Sequence, residues 1–388
     1  MSLTARVLLV AALVSPFAVA AQDQLPPVMP TAEDPRLIEV ASLDRIANGV
    51  TTSPDGRMFV SHPQVEGPGA QVSEIRDGQL VPYPNLEISQ WKPDENPTGT
   101  FMKVNSLRVG PEGDLWVVDA GARGVGYQAT PGAAKLVRID LGTNTVRRVY
   151  VAPPDAVREY SYFNDMRFSP DGNRVYITDA AGLDPAIVVL DIETGAMRRV
   201  LENHPLTIAR FKMYGDGRQL VLRDPIPAWW GGMTTDKMVN VDQLEVSPDG
   251  RWLYFHPIGG PLARIETRLV DDPSTPADTL YNSVEKLIDT WTAAGTAIDA
   301  AGNIYMSQVN TRSVMRIAPD MTLTTLASDP RLAWIDAMWI DSEGFLYMPA
   351  AQLDKTSANF AGGPAQIRYP MKIWKMQIGQ GPPAIDHR

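Results

Sequence analysis

Asn164–Asp179 reads NDMRFSPDGNRVYITD, two short strands joined by a Ser-Pro-Asp-Gly turn. Pro170 presets the backbone for the turn, and Gly172 supplies a positive φ without steric cost. Met166 and Phe168 point one way on the first strand, and Val175 and Ile177 belong to the returning strand. The pattern predicts a β-hairpin with Asn164 and Asp179 together at its open end.

The hairpin recurs as NGVTTSPDG (from Asn48), NSLRVGPEG (from Asn105), DQLEVSPDG (from Asp242), AGTAIDAAG (from Ala294) and DAMWIDSEG (from Asp336), six copies in all. In every copy the turn glycine falls eight residues after the first position. Further strands follow most copies, such as Lys135 to Asp140 with Thr145 to Tyr150. Repeats of roughly 40 to 80 residues, each a small antiparallel sheet unable to bury both faces alone, require a β-propeller. The fold expected is all-β, a six-bladed β-propeller of four-stranded antiparallel blades. Leu37 to Leu43 has no hairpin of its own, so its pairing with Lys372 to Ile378 would close the ring and remove exposed edges. Leu280, Val284, Leu287 and Ile288 have helical spacing and predict a short packed helix.

The 388 residues are 44% hydrophobic, enough for a large core. Met1 to Ala21 holds one basic residue, an apolar run from Val7 to Val14 and Ala18-Val19-Ala20 before Ala21. This predicts a signal peptide at 1–21, a propeller over 22–388 and a periplasmic or secreted location. No later apolar run approaches the roughly 20 residues of a membrane helix, so no membrane contact is expected after cleavage. A formal charge of -10 without blocks of Lys or Arg argues against nucleic acid as a partner. The absence of cysteine excludes disulfides and thiolate metal sites.

An antiparallel hairpin sets the start of its first strand beside the end of its second. The repeat therefore places Asn48 with His62, Asn105 with Asp119, Asn164 with Asp179, Asp242 with His256, Ala294 with Gln308 and Asp336 with Ala350 on one face. First strands of propeller blades line the central channel, so these Asn and Asp side chains should converge on the axis. Such a ring suits a polar ligand or a hard cation such as Ca²⁺, which takes six to eight oxygen ligands. The competing reading is local capping, since Asn and Asp at strand starts bond nearby backbone groups. His62 and His256 fall on the same face and are candidates for acid–base work. His204 belongs to a connection and His387 to the tail. Trp229, Trp230 and Trp334 are candidates to stack on a flat ligand, Trp334 above all because it lies two residues before Asp336. There is no His-Glu-x-x-His, Gly-x-Ser-x-Gly or Walker motif.

Several runs resemble the major royal jelly protein and yellow family: LWVVDAG (Leu115 to Gly121) with KLVRIDLGTNTVRRVY (Lys135 to Tyr150), VYITDAAG (Val175 to Gly182), and VDQLEVSPDGRWLYFHPIGG (Val241 to Gly260). The resemblance implies a secreted six-bladed propeller that binds a small polar or aromatic molecule at one face, with dopachrome-type isomerase activity among the family's functions. On that reading proton transfer falls to Asp242, His256 or Asp165. Asn48, Asn105, Asn164, Asp336, Asp119, Asp179 and Trp334 bind the ligand. Gly132-Ala133-Ala134 stands where insect members tend to carry Cys-Pro-Pro, a departure that weakens transfer of the insect activity. A more distant resemblance, to the gluconolactonase and senescence-marker group, implies a Ca²⁺-dependent lactonase with Asn105, Asn164 and Asp242 as metal ligands. There the first blade would supply Glu, and Asn48 stands instead. A non-enzymatic ligand- or protein-binding propeller is the third alternative, because fold does not fix function.

Overall fold

The computed structural model describes residues 27–92, 95–222, 235–236, 239–357, 359 and 364–386. The expected signal peptide at 1–21, Trp229, Trp230 and His387 lie outside the described residues. Six four-stranded antiparallel sheets follow one another along the chain. The hairpin of the third blade pairs Phe163–Phe168 with Arg174–Asp179, and Ala186–Asp191 and Met197–Val200 complete that sheet outward. At its turn Gly172 has φ +73°, while Asp171 accepts hydrogen bonds from the Ser169 hydroxyl (2.5 Å) and the Asn173 N–H (3.0 Å). The turn acid is a structural brace at the end of the blade.

The first strands of the six blades pack against one another in a ring: Gly49–Thr52, Val104–Val109, Phe163–Phe168, Val241–Val246, Thr296–Ile298 and Trp339–Ile340. Closure follows the expected pairing. Ile38–Leu43 forms the outer strand of the sixth blade, in register from Ile38 opposite Lys375 to Leu43 opposite Met371. Inside the ring the seam is also bonded, since the Ala337 N–H donates to the Asn48 carbonyl at 2.9 Å. At the neighbouring junction, between the fifth and sixth blades, Gly295 makes a close approach possible. A Cβ at this position would sit 2.0 Å from the Asp336 carbonyl oxygen.

Apolar clusters fill the wedges between blades, for example Trp116, Phe163, Met166, Phe168, Val175 and Ile177 between the second and third. Trp116 and Phe168 meet edge to face at 5.4 Å, a favoured aromatic geometry. One element departs from expectation. Leu280 lies on a short helix, Ala277–Asn282, but Glu285–Ile288, which carries Leu287, is the outer strand of the fourth blade. Of the four apolar residues at helical spacing, Leu280 is on the helix, Val284 on the link and Leu287 and Ile288 on the strand, and Lys286 opposite Ala263 shows the strand pairing that overrides the periodicity. The long connection before the fourth blade forms two small hairpins, Tyr214–Gly215 with Arg218–Gln219 and Val221–Leu222 with Thr235–Asp236.

Candidate functional site

The register of the inner strands shows how the ring residues reach the axis. Opposite Asp119 stands Val104, and pairing resumes at Ser106 with Val118, leaving Asn105 as an extra residue. Likewise Val241 pairs with Pro257 and Gln243 with His256, which leaves Asp242 unpaired. In the third blade Phe163 faces Asp179, and the shift falls at Asn164 and Asp165. Expected cross-strand partners are therefore offset by one residue. A β-bulge bends its strand and re-aims a side chain, and three bulges in equivalent places aim Asn105, Asn164 and Asp242 at one another.

Together with Asn48, Asp336 and Trp334 these residues line a cavity of about 370 Å³ at one end of the channel. Their hydrogen bonds run in one direction. The Tyr162 hydroxyl donates to Asn105 Oδ1 (3.0 Å), Asn105 Nδ2 donates to Asn164 Oδ1, and Asn164 Nδ2 donates to Asp242 Oδ1. Gln243 Nε2 donates to the other oxygen, Asp242 Oδ2, at 2.6 Å. Asn48 enters from the side, accepting from Ser61 Oγ (3.0 Å) and donating to the Asn105 carbonyl (2.8 Å). Burial pushes the Tyr162 phenol up, and the carboxylates of Asp242 and Asp336 add to the shift, so it stays a donor.

Across the axis, Asp336 accepts from Trp334 Nε1 (2.9 Å) and from the Ala337 N–H (2.9 Å). Burial at the base of the cavity pushes this carboxyl up to about 7, and the charge of Asp165 adds to the shift against the two hydrogen bonds. Above the polar floor the walls are apolar: Met213, Val239, Ile258, Ala294 and Leu353 join Tyr162 and Trp334 in one cluster. Trp334 has φ +55°, an uncommon conformation for a bulky residue, at the position where it lines the cavity. Lys103 and Arg123 add positive charge to the lining.

Other residues named from the sequence are placed elsewhere. Asp119 accepts from the Met102 N–H (2.8 Å) and the Lys103 N–H (3.0 Å) and pairs with the buried Lys135 ammonium at 2.6 Å. Asp179 repeats the arrangement in the next blade, bonding the Tyr162 N–H (2.7 Å) and the Arg199 guanidinium (2.7 Å). Both acids are wholly buried, hold the loop that leads into the inner strand of their own blade, and stand outside the cavity lining. Asp165 is ion-paired with Arg167 (3.0 Å), which also binds Glu245 (2.7 Å) in the core of the channel.

The two hairpin histidines are also interior residues. His62 Nδ1 faces the Ile46 carbonyl at 2.7 Å, so that nitrogen carries the proton, and Nε2 faces Ser73 Oγ at 2.9 Å. His256 lies between Gln243 Oε1 (2.8 Å) and Thr290 Oγ1 (2.6 Å). Because Gln243 spends its amide hydrogens on Asp242 and the Ala293 carbonyl, its oxygen is an acceptor and His256 Nδ1 donates. Burial holds His62 down at about 4 and His256 at about 3, so both rings are neutral near pH 7. His204 bonds the Tyr281 carbonyl at 3.1 Å in a connection away from the axis. Tyr162 and Lys103 were missed by sequence reasoning. Both stand two residues before a ring position, as Trp334 does, so the repeat itself carried the signal.

Fold and site together define a six-bladed propeller with a polar-floored, apolar-walled cavity on its axis. The family model for major royal jelly protein matches residues 102–378, and the chain belongs to that family. No curated protein matches the chain in sequence. Solved structures share the fold at low identity. A gluconolactonase from Xanthomonas campestris is 13% identical, with a TM-score of 0.52 over 88% of this chain and 89% of that one. A calcium-binding protein, regucalcin, from Agrobacterium tumefaciens is 14% identical, with a TM-score of 0.51 over 94% and 98%. A luciferin-regenerating enzyme is 10% identical, with a TM-score of 0.54 over 90% and 98%.

Proposed function

We propose that the protein is exported and that its axial cavity binds a small polar or aromatic molecule, on which it acts as an isomerase of the dopachrome-converting kind found in the family. The observation that carries this reading is Asp336. Its carboxyl, raised to about 7, faces the same cavity as the bulge residues Asn105, Asn164 and Asp242. A group titrating near the working pH both accepts and returns protons. A tautomerisation removes one proton from carbon and delivers one to another atom of the same molecule, with no net change in atoms or electrons. Asp336 is placed to carry that proton. Tyr162 and Trp334 flank a flat ring from opposite blades, and the amides of Asn105 and Asn164 orient its polar substituents. The test is a spectrophotometric dopachrome assay of the wild type against Asp336→Asn and Asp242→Ala. Equal rates in all three proteins would sink the catalytic claim, while an Asn164→Ala variant with unchanged thermal shifts toward indoles and catechols would sink the binding claim.

A second reading is favoured by the donor chemistry. Asn48, Asn105, Asn164 and Asp242 each carry a side-chain oxygen, the kind of ligand that hard cations take, and a calcium-binding protein shares the fold. These residues fit Ca²⁺ in kind, with Asn105, Asn164 and Asp242 holding it and Asn48 beside them. Bound there, the ion would supply Lewis-acid polarisation of a lactone carbonyl. Elemental analysis of the purified protein and its melting temperature with and without chelator decide between the two readings.

A further inference from the structure

A second concavity, of about 680 Å³, lies off the axis between the fifth and sixth blades. Arg312 enters it just ahead of Ser313–Ile317, Arg331 from the connection between the two blades, and Lys372 and Trp374 from Met371–Gln377. Lys355 and Arg368 close the remaining side. Five cationic side chains thus line the groove against one carboxylate, Asp216, in a chain whose formal charge is -10. Local charge of the opposite sign to the whole concentrates oppositely charged ligands.

The groove is built rather than accidental. Gln352 grips the backbone of Arg368 at both ends, its Nε2 donating to the Arg368 carbonyl (2.8 Å) and its Oε1 accepting from the Arg368 N–H (3.1 Å). Arg331 is stacked over the Trp374 ring at 4.6 Å and tied to Asp329 at 2.7 Å. Asp216 is shared between Arg312 and Lys355, which it meets at 2.5 Å and 3.5 Å. Lys372 donates to Glu39 (2.7 Å) and to Ser42 Oγ (2.8 Å), which leaves one of its hydrogens unspent. The exposed Arg368 makes no ion pair among the described residues. Donor capacity is therefore left over: the Arg368 guanidinium, the unspent hydrogens of Lys355 and one hydrogen of Lys372. Trp374 forms part of the same wall, its ring lying under the Arg331 guanidinium.

We propose that this groove is a binding site for a small molecule carrying two or more carboxylate or phosphate groups. A guanidinium fork matches either group bidentately, and the two ammonium groups take a second anion beside it. The two sites are separate in their residues.

Calorimetric titration of the full chain at low ionic strength, with citrate in one arm and pyrophosphate in the other, tests the site. Whichever probe binds more tightly identifies the anion chemistry. The expected result is saturable binding that is at least tenfold weaker in Arg368→Glu, unchanged in Asn164→Ala, and absent with the neutral triethyl ester of citrate. Arg368 is exposed and its side chain is not part of the fold's bonding, so the variant should fold; its melting temperature checks this. No saturable binding of either probe overturns the proposal, as does equal binding by Arg368→Glu. Loss in Asn164→Ala with retention in Arg368→Glu also overturns it, by placing the anion in the axial cavity.

Discussion

The indole N–H of Trp334 points at Asp336 and donates to its Oδ2 at 2.9 Å, so a residue in a left-handed backbone conformation holds a cavity carboxyl raised to about 7. An acid lifted above its unfolded value of 3.8 costs stability once it must ionise. Its contribution is best below the unfolded value and is lost as pH rises through about 7. Replacing Asp336 by Asn removes the charge and keeps the acceptor toward Trp334. The variant should be more stable than wild type at pH 8 by up to about 4 kcal/mol, and the difference should vanish near pH 4. Urea unfolding at the two pH values measures this, and a constant difference would contradict the assignment.

His62 and His256 act with the opposite sign. Both rings are neutral and buried, with values near 4 and 3 against 6.5 for the free side chain. The stability they lend is present above pH 6.5 and is lost as pH falls toward 4, because the unfolded chain takes up protons that the folded one refuses. His256→Gln should therefore flatten the loss between pH 6.5 and 4 by about one proton's worth of slope. The same variant leaves ligand binding at the axis within about threefold, since His256 reaches the cavity only through Gln243.

Gln243 is a different matter, because its amide touches Asp242 directly at 2.6 Å. Gln243→Leu fills the same space but removes the donor, freeing the carboxylate to rotate and leaving His256 Nδ1 without its acceptor. Axial ligand affinity should fall about tenfold, the worth of one hydrogen bond to a charged group. Titration with the best indole or catechol from a thermal-shift screen provides the readout.

The repeat made the fold readable because each copy carries its own turn chemistry, and the closing strand announced itself by having no hairpin. The ring of Asn48, Asn105, Asn164, Asp242 and Asp336 was readable for the same reason. What the repeat does not encode is the bulge. A one-residue slip beside Asn105 or Asp242 leaves the alternation of the strand intact, yet decides that these side chains turn to the axis while Asp119 and His256 remain behind the sheet. Equally, nothing in the strand ends distinguishes an acid that faces a ligand from one that meets a lysine sixteen residues later, as Asp119 meets Lys135.

That distinction is open to direct measurement at Asp119. Its carboxylate is wholly enclosed, 2.6 Å from a Lys135 ammonium that is only 1% exposed, and it also anchors the N–H groups of Met102 and Lys103. Removing one member of a buried pair strands the other charge, at a cost of about 3 to 5 kcal/mol. Asp119→Ala should lose that much stability in denaturant titration, whereas removing both charges, in Asp119→Ala with Lys135→Met, should recover a substantial part of it. The loop from Met102 to Lys103 leads straight into Asn105, so the single variant should also loosen the ring on that side. Ligand affinity at the axis would then fall in Asp119→Ala and return in the double variant in step with stability. A ligand contact at Asp119 predicts instead that affinity is lost in both variants alike, and stability and binding measured on the same two proteins separate the alternatives.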